Sequence, residues 1–496
     1  MKVFFAALFF AIISLQSSAQ KLVMPGDYPD PSVVKIGNRY WASATSSNWF
    51  PAYPLLVSKD LIKWEAKGYV FNQLPAWADY YFWAPEISYE KGKVYIYYTA
   101  HKRGGNLCVG IASADKPEGP YTDHGPLICQ EAGSIDAFPM RDKNGKLFMI
   151  WKEDGNSVKK PTPIWAQEMN EGRTALTGEK KELFRGTEPW EGELIEGVSM
   201  IRNGEYFYAF YAAAACCGRK CNYGTGIARA KDLLGPWEKY SKNPVITHDD
   251  EWKCPGHGTP IEKNGKYYFL YHAYENKSNV YAGRQGLLSE FKFTSDGWIE
   301  FEKDQLAPEK TSGITIKDDF NGAALNDNWQ WSIFQNVSSS IQNNILELNA
   351  NPVKSGAYLG QKTFNANYKA GISVLQKSAA EAGLAAIGDD RNLIRLSVFK
   401  NKIRIVQLKD DKETIIKERE IPLSEIIHLS MKVSNGKDIT FSYSTDGNTY
   451  QVLQEKEIDG SFLPPWDRAV RIGPISNGSA NQKAYFKNFS LVGAPD

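Results

Sequence analysis

Five times in this chain an apolar run, a Gly-centred turn and an aromatic return run follow one another, and this recurrence limits the fold more than any other feature. The first copy is Asp30-Pro31-Ser32-Val33-Val34, then Gly37-Asn38, then Tyr40-Trp41. Pro29 and Pro31 flank Asp30 and hold its neighbours extended, because proline fixes φ and biases the residue before it away from helix. The later copies begin at Ala84, Asp136, Glu196 and His257 and run into Tyr95-Ile96-Tyr97-Tyr98, Phe148-Met149-Ile150-Trp151, Tyr206-Phe207-Tyr208 and Tyr267-Tyr268-Phe269. Successive first positions are 54, 52, 60 and 61 residues apart. A repeat of this length, built from short strands and Gly turns, is the signature of a propeller blade. An outer unit recurs too: Ala112 to Tyr121 matches Ala228 to Trp237, each with a Gly-Pro-aromatic end, so each blade reads as four strands.

In a radial repeat, equivalent residues gather around one axis. Four of the five first positions are Asp30, Asp136, Glu196 and His257. The repeat thus predicts three carboxyl groups and an imidazole at one mouth of the channel. A single Asp at a strand entrance is ordinarily a turn residue; three acids and a His at one repeat position ask for more than turn chemistry. In blade two Ala84 replaces the acid, and Trp83 before it reads equally as inter-blade packing or as a sugar platform. Glu191 and Glu193 are nearby rivals to Glu196, but only Glu196 falls on the repeat position.

The repeats fade after Phe301. Residues 20–302 read as the propeller, 303–315 as a polar linker, and 316–496 as a second all-β domain, a two-sheet sandwich. The fold class is therefore all-β, a five-bladed propeller followed by a β-sandwich. Residues 1–19 read as a secretory leader: Lys2, an apolar stretch from Val3 to Leu15, and Ser17-Ser18-Ala19. The leader is too short for a membrane span, no later stretch is apolar enough for one, and the expectation is an exported protein, periplasmic or secreted. Export permits disulfides among the six cysteines. Cys216-Cys217-x3-Cys221 lacks zinc-ribbon spacing and reads as a local disulfide or free thiols rather than a metal site. With 58 Lys and Arg against 57 Asp and Glu, bulk charge points to no nucleic-acid partner.

Paired carboxylates in an aromatic pocket of an exported protein suggest glycoside hydrolysis: one carboxylic acid protonates the leaving oxygen, and a second, as carboxylate, activates water or attacks the anomeric carbon. A third acid nearby is expected to raise its neighbour by like-charge repulsion and keep it protonated. The partner is then an oligo- or polysaccharide. Gly-rich phosphate loops, serine nucleophile elbows and HExxH motifs are absent from the sequence.

Tyr28-Pro29-Asp30-Pro31-Ser32, Trp83-Ala84-Pro85-Glu86, Ser134-Ile135-Asp136-Ala137, Glu196-Gly197-Val198, Gly256-His257-Gly258 and Gly283-Arg284-Gln285, in this order, resemble the signatures of the family-43 glycoside hydrolases. The resemblance implies a five-bladed propeller that inverts configuration on plant cell-wall arabinose, xylose and galactose linkages. It implies Asp30 as general base, Glu196 as general acid and Asp136 as the acid that tunes and orients Glu196. It also implies Trp83 and Arg284 as sugar contacts, with His257 near the axis, beside a structural Ca2+ in some members; no cofactor is required. The run from Phe50-Pro51 to Trp64 resembles the exo-acting β-xylosidase and α-L-arabinofuranosidase branches, whose C-terminal concanavalin-like sandwich resembles residues 316–496. Trp49 and Phe50, two large aromatics in one loop, join the expected substrate-binding set. The alternatives are a non-catalytic glycan-binding propeller, an exo-galactanase of the same fold, and a retaining fructan hydrolase; the last expects Arg-Asp-Pro at the middle acid, where Ile135-Asp136-Ala137 stands.

Overall fold

A computed structural model describes residues 20–278, 280–302 and 313–494. The leader at 1–19 and nearly all of the linker lie outside the described residues. Five antiparallel sheets form the first domain. Their innermost strands are Ser32–Ile36, Ala78–Glu90, Ser134–Arg141, Ile195–Asn203 and Trp252–Lys263, the five cassettes read from the sequence. Blades one to four each run outward through three further strands in chain order. Blade five is closed differently: the N-terminal strand Lys21–Met24 pairs antiparallel with Arg284–Phe293, Leu22 opposite Leu287. Sharing a sheet between the two ends of the repeat closes the ring, and only the outer strands of the blades keep a free edge.

The repeat positions share a backbone device. Asp30, Asp136 and His257 have φ of 51°, 56° and 43°, and Gly197, next to Glu196, has 60°. The strand pairing slips there, between Ile135 and Phe138, between Glu196 and Ser199, and around Gly256. A bulge bends the strand and re-aims one side chain; here it turns the repeat residue toward the axis. Gly197 is required twice over, because a Cβ would stand 2.7 Å from the His257 ring and a positive φ strains other residues.

The second domain packs a nine-stranded sheet on a seven-stranded one. Its core includes Leu346, Ile372, Leu384, Leu396, Phe441 and Phe486, all fully or almost fully buried. The sandwich is docked. Trp49–Phe50 pairs antiparallel with Trp331–Ser332 across the domains. The indole of Trp49, 1 % exposed, packs among Tyr358, Ile387, Leu393 and Ile475 of the sandwich, and Phe50 meets Trp331 edge-on at 5.8 Å. Asp27 pairs with Arg471 at 3.0 Å. The expectation that Trp49 and Phe50 touch the sugar of the axial pocket is therefore corrected: both are interdomain anchors and neither lines that pocket. Large aromatics in an exposed loop suit a sugar ring or another protein face equally well, and here the face lies some 280 residues downstream.

Candidate active site

A pocket of about 400 Å³ opens at one end of the propeller axis. Asp30, Asp136, Glu196, His257, Arg284 and Trp83 all line it, so the structure brings together every site residue expected from the repeat. Loops of blades three and four supply Asn156, Ser157, Cys216 and Cys217, and the sandwich supplies Trp466 and Asp467.

Asp30 is held on every side. Oδ1 accepts from Arg284 Nη1 at 3.0 Å and lies 3.5 Å from His257 Nδ1. Oδ2 accepts from Thr45 Oγ1 at 2.6 Å, and the Thr45 oxygen in turn accepts the Ala84 N–H. The Asp30 N–H donates to His272 Nδ1 at 3.0 Å, so that nitrogen carries no proton. Burial alone would raise the Asp30 carboxyl; the Arg284 guanidinium, with His257 beside it, outweighs burial and holds the group well below the usual carboxylate range. His272, fully buried, is pushed down to about 4 by desolvation.

Glu196 sits in a different field. Oε2 accepts from Lys152 Nζ at 2.6 Å and Oε1 from the Tyr223 hydroxyl at 2.9 Å. Lys152 is 1 % exposed and also reaches Asp154 Oδ1 at 3.1 Å. Asp136 accepts the Gly197 N–H at 3.0 Å on Oδ2. Burial drives both acids upward. Lys152 reverses the shift at Glu196, which lies below its ordinary value. Asp136 remains raised, to about 6, with the nearby Glu196 and Asp30 charges adding to burial. The expectation that neighbouring acids raise Glu196 is thus corrected: the adjacent ammonium wins, and the raised member of the pair is Asp136. The two titrate as a pair.

Glu191 and Glu193, the rivals for the acid, stay out of the pocket. Glu191 is fully buried against Tyr211 and Lys239 and caps its own 3-10 turn. His257 packs against Gly197 and faces Asp30 with a nitrogen. Calcium takes six to eight oxygens, and among the described residues no three carboxylate, imidazole or thiol groups are placed to share an ion.

Arg284 is anchored from the sandwich, its Nη2 donating to the Asp467 carbonyl at 3.1 Å. Gly283 precedes it at φ 86°, where a Cβ would collide with Asp27 Oδ1 at 2.3 Å. Trp83 Nε1 donates to Asp467 Oδ2 at 3.3 Å, and Trp466 stands edge-on to the Trp83 ring at 5.6 Å. Thr45, Lys152, Tyr223, His272, Trp466 and Asp467 were not singled out in the sequence. Lys152 alone left a trace there, as a cation ending the apolar run Leu147 to Trp151 in the blade that carries Asp136. All six cysteines are paired: Cys108–Cys129, Cys221–Cys254, and the adjacent Cys216–Cys217 at the pocket rim. The local disulfide expected in the cysteine cluster is the Cys216–Cys217 pair.

Residues 19–299 match the family described as glycosyl hydrolases family 43. The chain belongs to that family. Residues 317–467 match the β-xylosidase C-terminal concanavalin A-like domain. A relative from a Vibrio species, a xylan 1,3-β-xylosidase, is 28 % identical over 272 residues, 51 % of this chain and 49 % of that one; the match spans about half that relative's length. A xylosidase/arabinosidase from Butyrivibrio fibrisolvens is 26 % identical over 433 residues, 78 % of this chain and 81 % of that one. Among solved structures, the family-43 BlXynB protein from Bacillus licheniformis superposes with a TM-score of 0.80 at 22 % identity, over 96 % of this chain and all of that one. That likeness extends through both domains, so propeller and docked sandwich form one shared architecture.

Proposed function

We propose that this family-43 protein is an inverting, exo-acting glycoside hydrolase that releases terminal arabinofuranosyl or xylosyl residues from plant cell-wall hemicellulose or pectin side chains. The observation that carries the reading is the convergence of Asp30, Asp136 and Glu196 in one pocket, each carboxyl held by a different partner. Asp30, kept ionised by Arg284, has the protonation state of a general base toward water. Glu196, buried and bonded to Lys152 and Tyr223, is the proton donor to the leaving oxygen, and Lys152 stabilises the carboxylate left behind. Asp136 fixes the backbone at Gly197 and lends its charge to the pair. The His257 ring lies against both Asp30 and Gly197. Arg284 and Trp83 hold the terminal sugar. Trp466 and Asp467 of the sandwich line the pocket beside the propeller residues, an arrangement that suits release of end residues. The names of the xylosidase and arabinosidase relatives agree with a pentose. Three disulfides suit an oxidising compartment, and we infer export; among the described residues no helix is long and apolar enough to cross a membrane.

The test is a panel of 4-nitrophenyl α-L-arabinofuranoside, β-D-xyloside and β-D-galactoside, followed by arabinan, xylan and arabinogalactan, with the first-formed anomer read by NMR. A pentoside turned over with inversion supports the reading. Retention, or turnover of the galactoside alone, overturns it.

A further inference from the structure

The terminal sugar fills the pocket, and the rest of a substrate chain has to leave through the mouth. We propose that an aromatic track guides that chain from the mouth, along blade two, to a second carbohydrate subsite where propeller and sandwich meet. The inference rests on the hydrolase reading above. Trp83 and Trp466 stand at the mouth. Tyr81 stacks on Trp83 at 4.5 Å, Tyr80 meets Tyr81 edge-on at 4.7 Å, and Phe334 of the sandwich follows at 6.3 Å from Tyr80. The row has no gap wider than one ring contact. Its two ends are open: Trp466 is 53 % and Phe334 60 % exposed.

The backbone is bent to build this row. In a regular strand Tyr80 and Tyr81 would face opposite sides. Tyr81 instead has φ 55°, its N–H is held by Asn48 Oδ1 at 2.8 Å, and the strand pairing slips at Tyr80 and again at Trp83. Phe82 turns into the core with no exposure, while Tyr80, Tyr81 and Trp83 all stay half-buried on the outer side. A bulky residue at positive φ is strained and persists where its surroundings impose it.

At the far end lies a cavity of about 140 Å³. Phe334 forms one wall, with Asn48, Asp390, Arg391 and Arg468 around it. Trp49 also borders it, and its buried indole N–H has no partner among the described residues. A sugar ring has an apolar C–H face and a rim of hydroxyls. An aromatic wall ringed by amide, carboxylate and guanidinium groups matches both. Domain docking does not call for the row, since Trp49, Phe50, Trp331 and the Asp27–Arg471 pair already make that joint. The occupant is therefore a neutral oligosaccharide continuous with the sugar in the pocket.

The test measures kcat/KM on an aryl pentoside and on matching oligosaccharides from dimer to hexamer, with the full chain and with Phe334→Ala. The native chain should gain with oligosaccharide length. Phe334→Ala should lower kcat/KM on the longest substrate about 3- to 10-fold, mainly through KM, and leave the aryl pentoside within twofold. No gain with length, or equal loss on aryl and long substrates, overturns the track. Phe334→Tyr, which keeps the ring, should retain the gain and guards against a folding defect in the alanine variant. Calorimetry of xylo- and arabino-oligosaccharides on the Glu196→Gln chain judges the track even if no pentoside is hydrolysed: affinity rising with length, and lost on adding Phe334→Ala, supports it, whereas affinity independent of length or of Phe334 overturns it.

Discussion

Lys152→Met is the most informative substitution in this site. In the native chain Lys152 Nζ lies 2.6 Å from Glu196 Oε2 and 3.1 Å from Asp154 Oδ1, with the ammonium shut off from solvent. An opposite charge this close lowers a carboxyl by roughly 1–3 pKa units, and each unit corresponds to about 1.4 kcal/mol between the two protonation states. Glu196 must be protonated to act as the acid, so activity falls as pH rises through its pKa. With methionine, which keeps the length but not the charge, burial acts on Glu196 unopposed and the basic limb of kcat/KM moves up by about 1–3 pH units. The plateau rate on substrates with poor leaving groups should fall, because a weaker acid transfers its proton less readily and the new carboxylate lacks its cation. Lys152→Arg should keep the limb within a few tenths of a unit. The assay is a pH–kcat/KM profile on an aryl pentoside and on the matching disaccharide, with thermal unfolding followed in parallel. A limb that stays in place in Lys152→Met, or that moves equally in Lys152→Arg, refutes the electrostatic account of the acid.

Asp30→Asn should abolish turnover of every substrate, since water has to be deprotonated whatever the leaving group; residual activity above about a thousandth on any pentoside argues against Asp30 as the base. Glu196→Gln should be milder on aryl glycosides with good leaving groups, and finding that leaving-group dependence in Glu193→Gln instead would move the acid. Asp136→Asn should remove the carboxyl that titrates as a pair with Glu196 and shift the basic limb downward, against the direction expected for Lys152→Met; a shift the same way as Lys152→Met refutes the pairing. Glu86 is partly buried between Ser32 and Thr259 and raised by desolvation to about 8 from an ordinary value of 4.5. Its folded form keeps a proton that the unfolded chain releases, so its contribution is full below about pH 4.5 and is lost as pH rises to about 8. Glu86→Gln should therefore raise Tm by a few degrees at pH 8 relative to the native chain and much less at pH 5, and a difference constant with pH would refute the shift.

The blades were legible because a blade is local. Each of the five cassettes carries its own strand, turn and return strand, and the repeat register alone singled out Asp30, Asp136, Glu196 and His257 and rejected Glu191 and Glu193. Arg284 and Trp83 came from the order of motifs along the chain, which the family resemblance interprets. The sandwich was legible as a change of pattern after Phe301. Three things were not. The state of Glu196 depends on Lys152, 44 residues away on a neighbouring blade, and an ammonium at hydrogen-bond distance outweighs two acids farther off; no linear spacing encodes that balance. The place of Trp49 and Phe50 depends on a partner surface in the other domain, because aromatic side chains carry the same apolar area whether a sugar or a protein covers it. The pocket lining from Trp466 and Asp467 exists only once the sandwich docks, by strand pairing and the buried Asp27–Arg471 pair. Sequence periodicity determines which residues reach the axis, since strand geometry is short-ranged and repeats; tertiary packing decides their charge states and what covers them, since electrostatics and burial act through space between segments far apart in the chain.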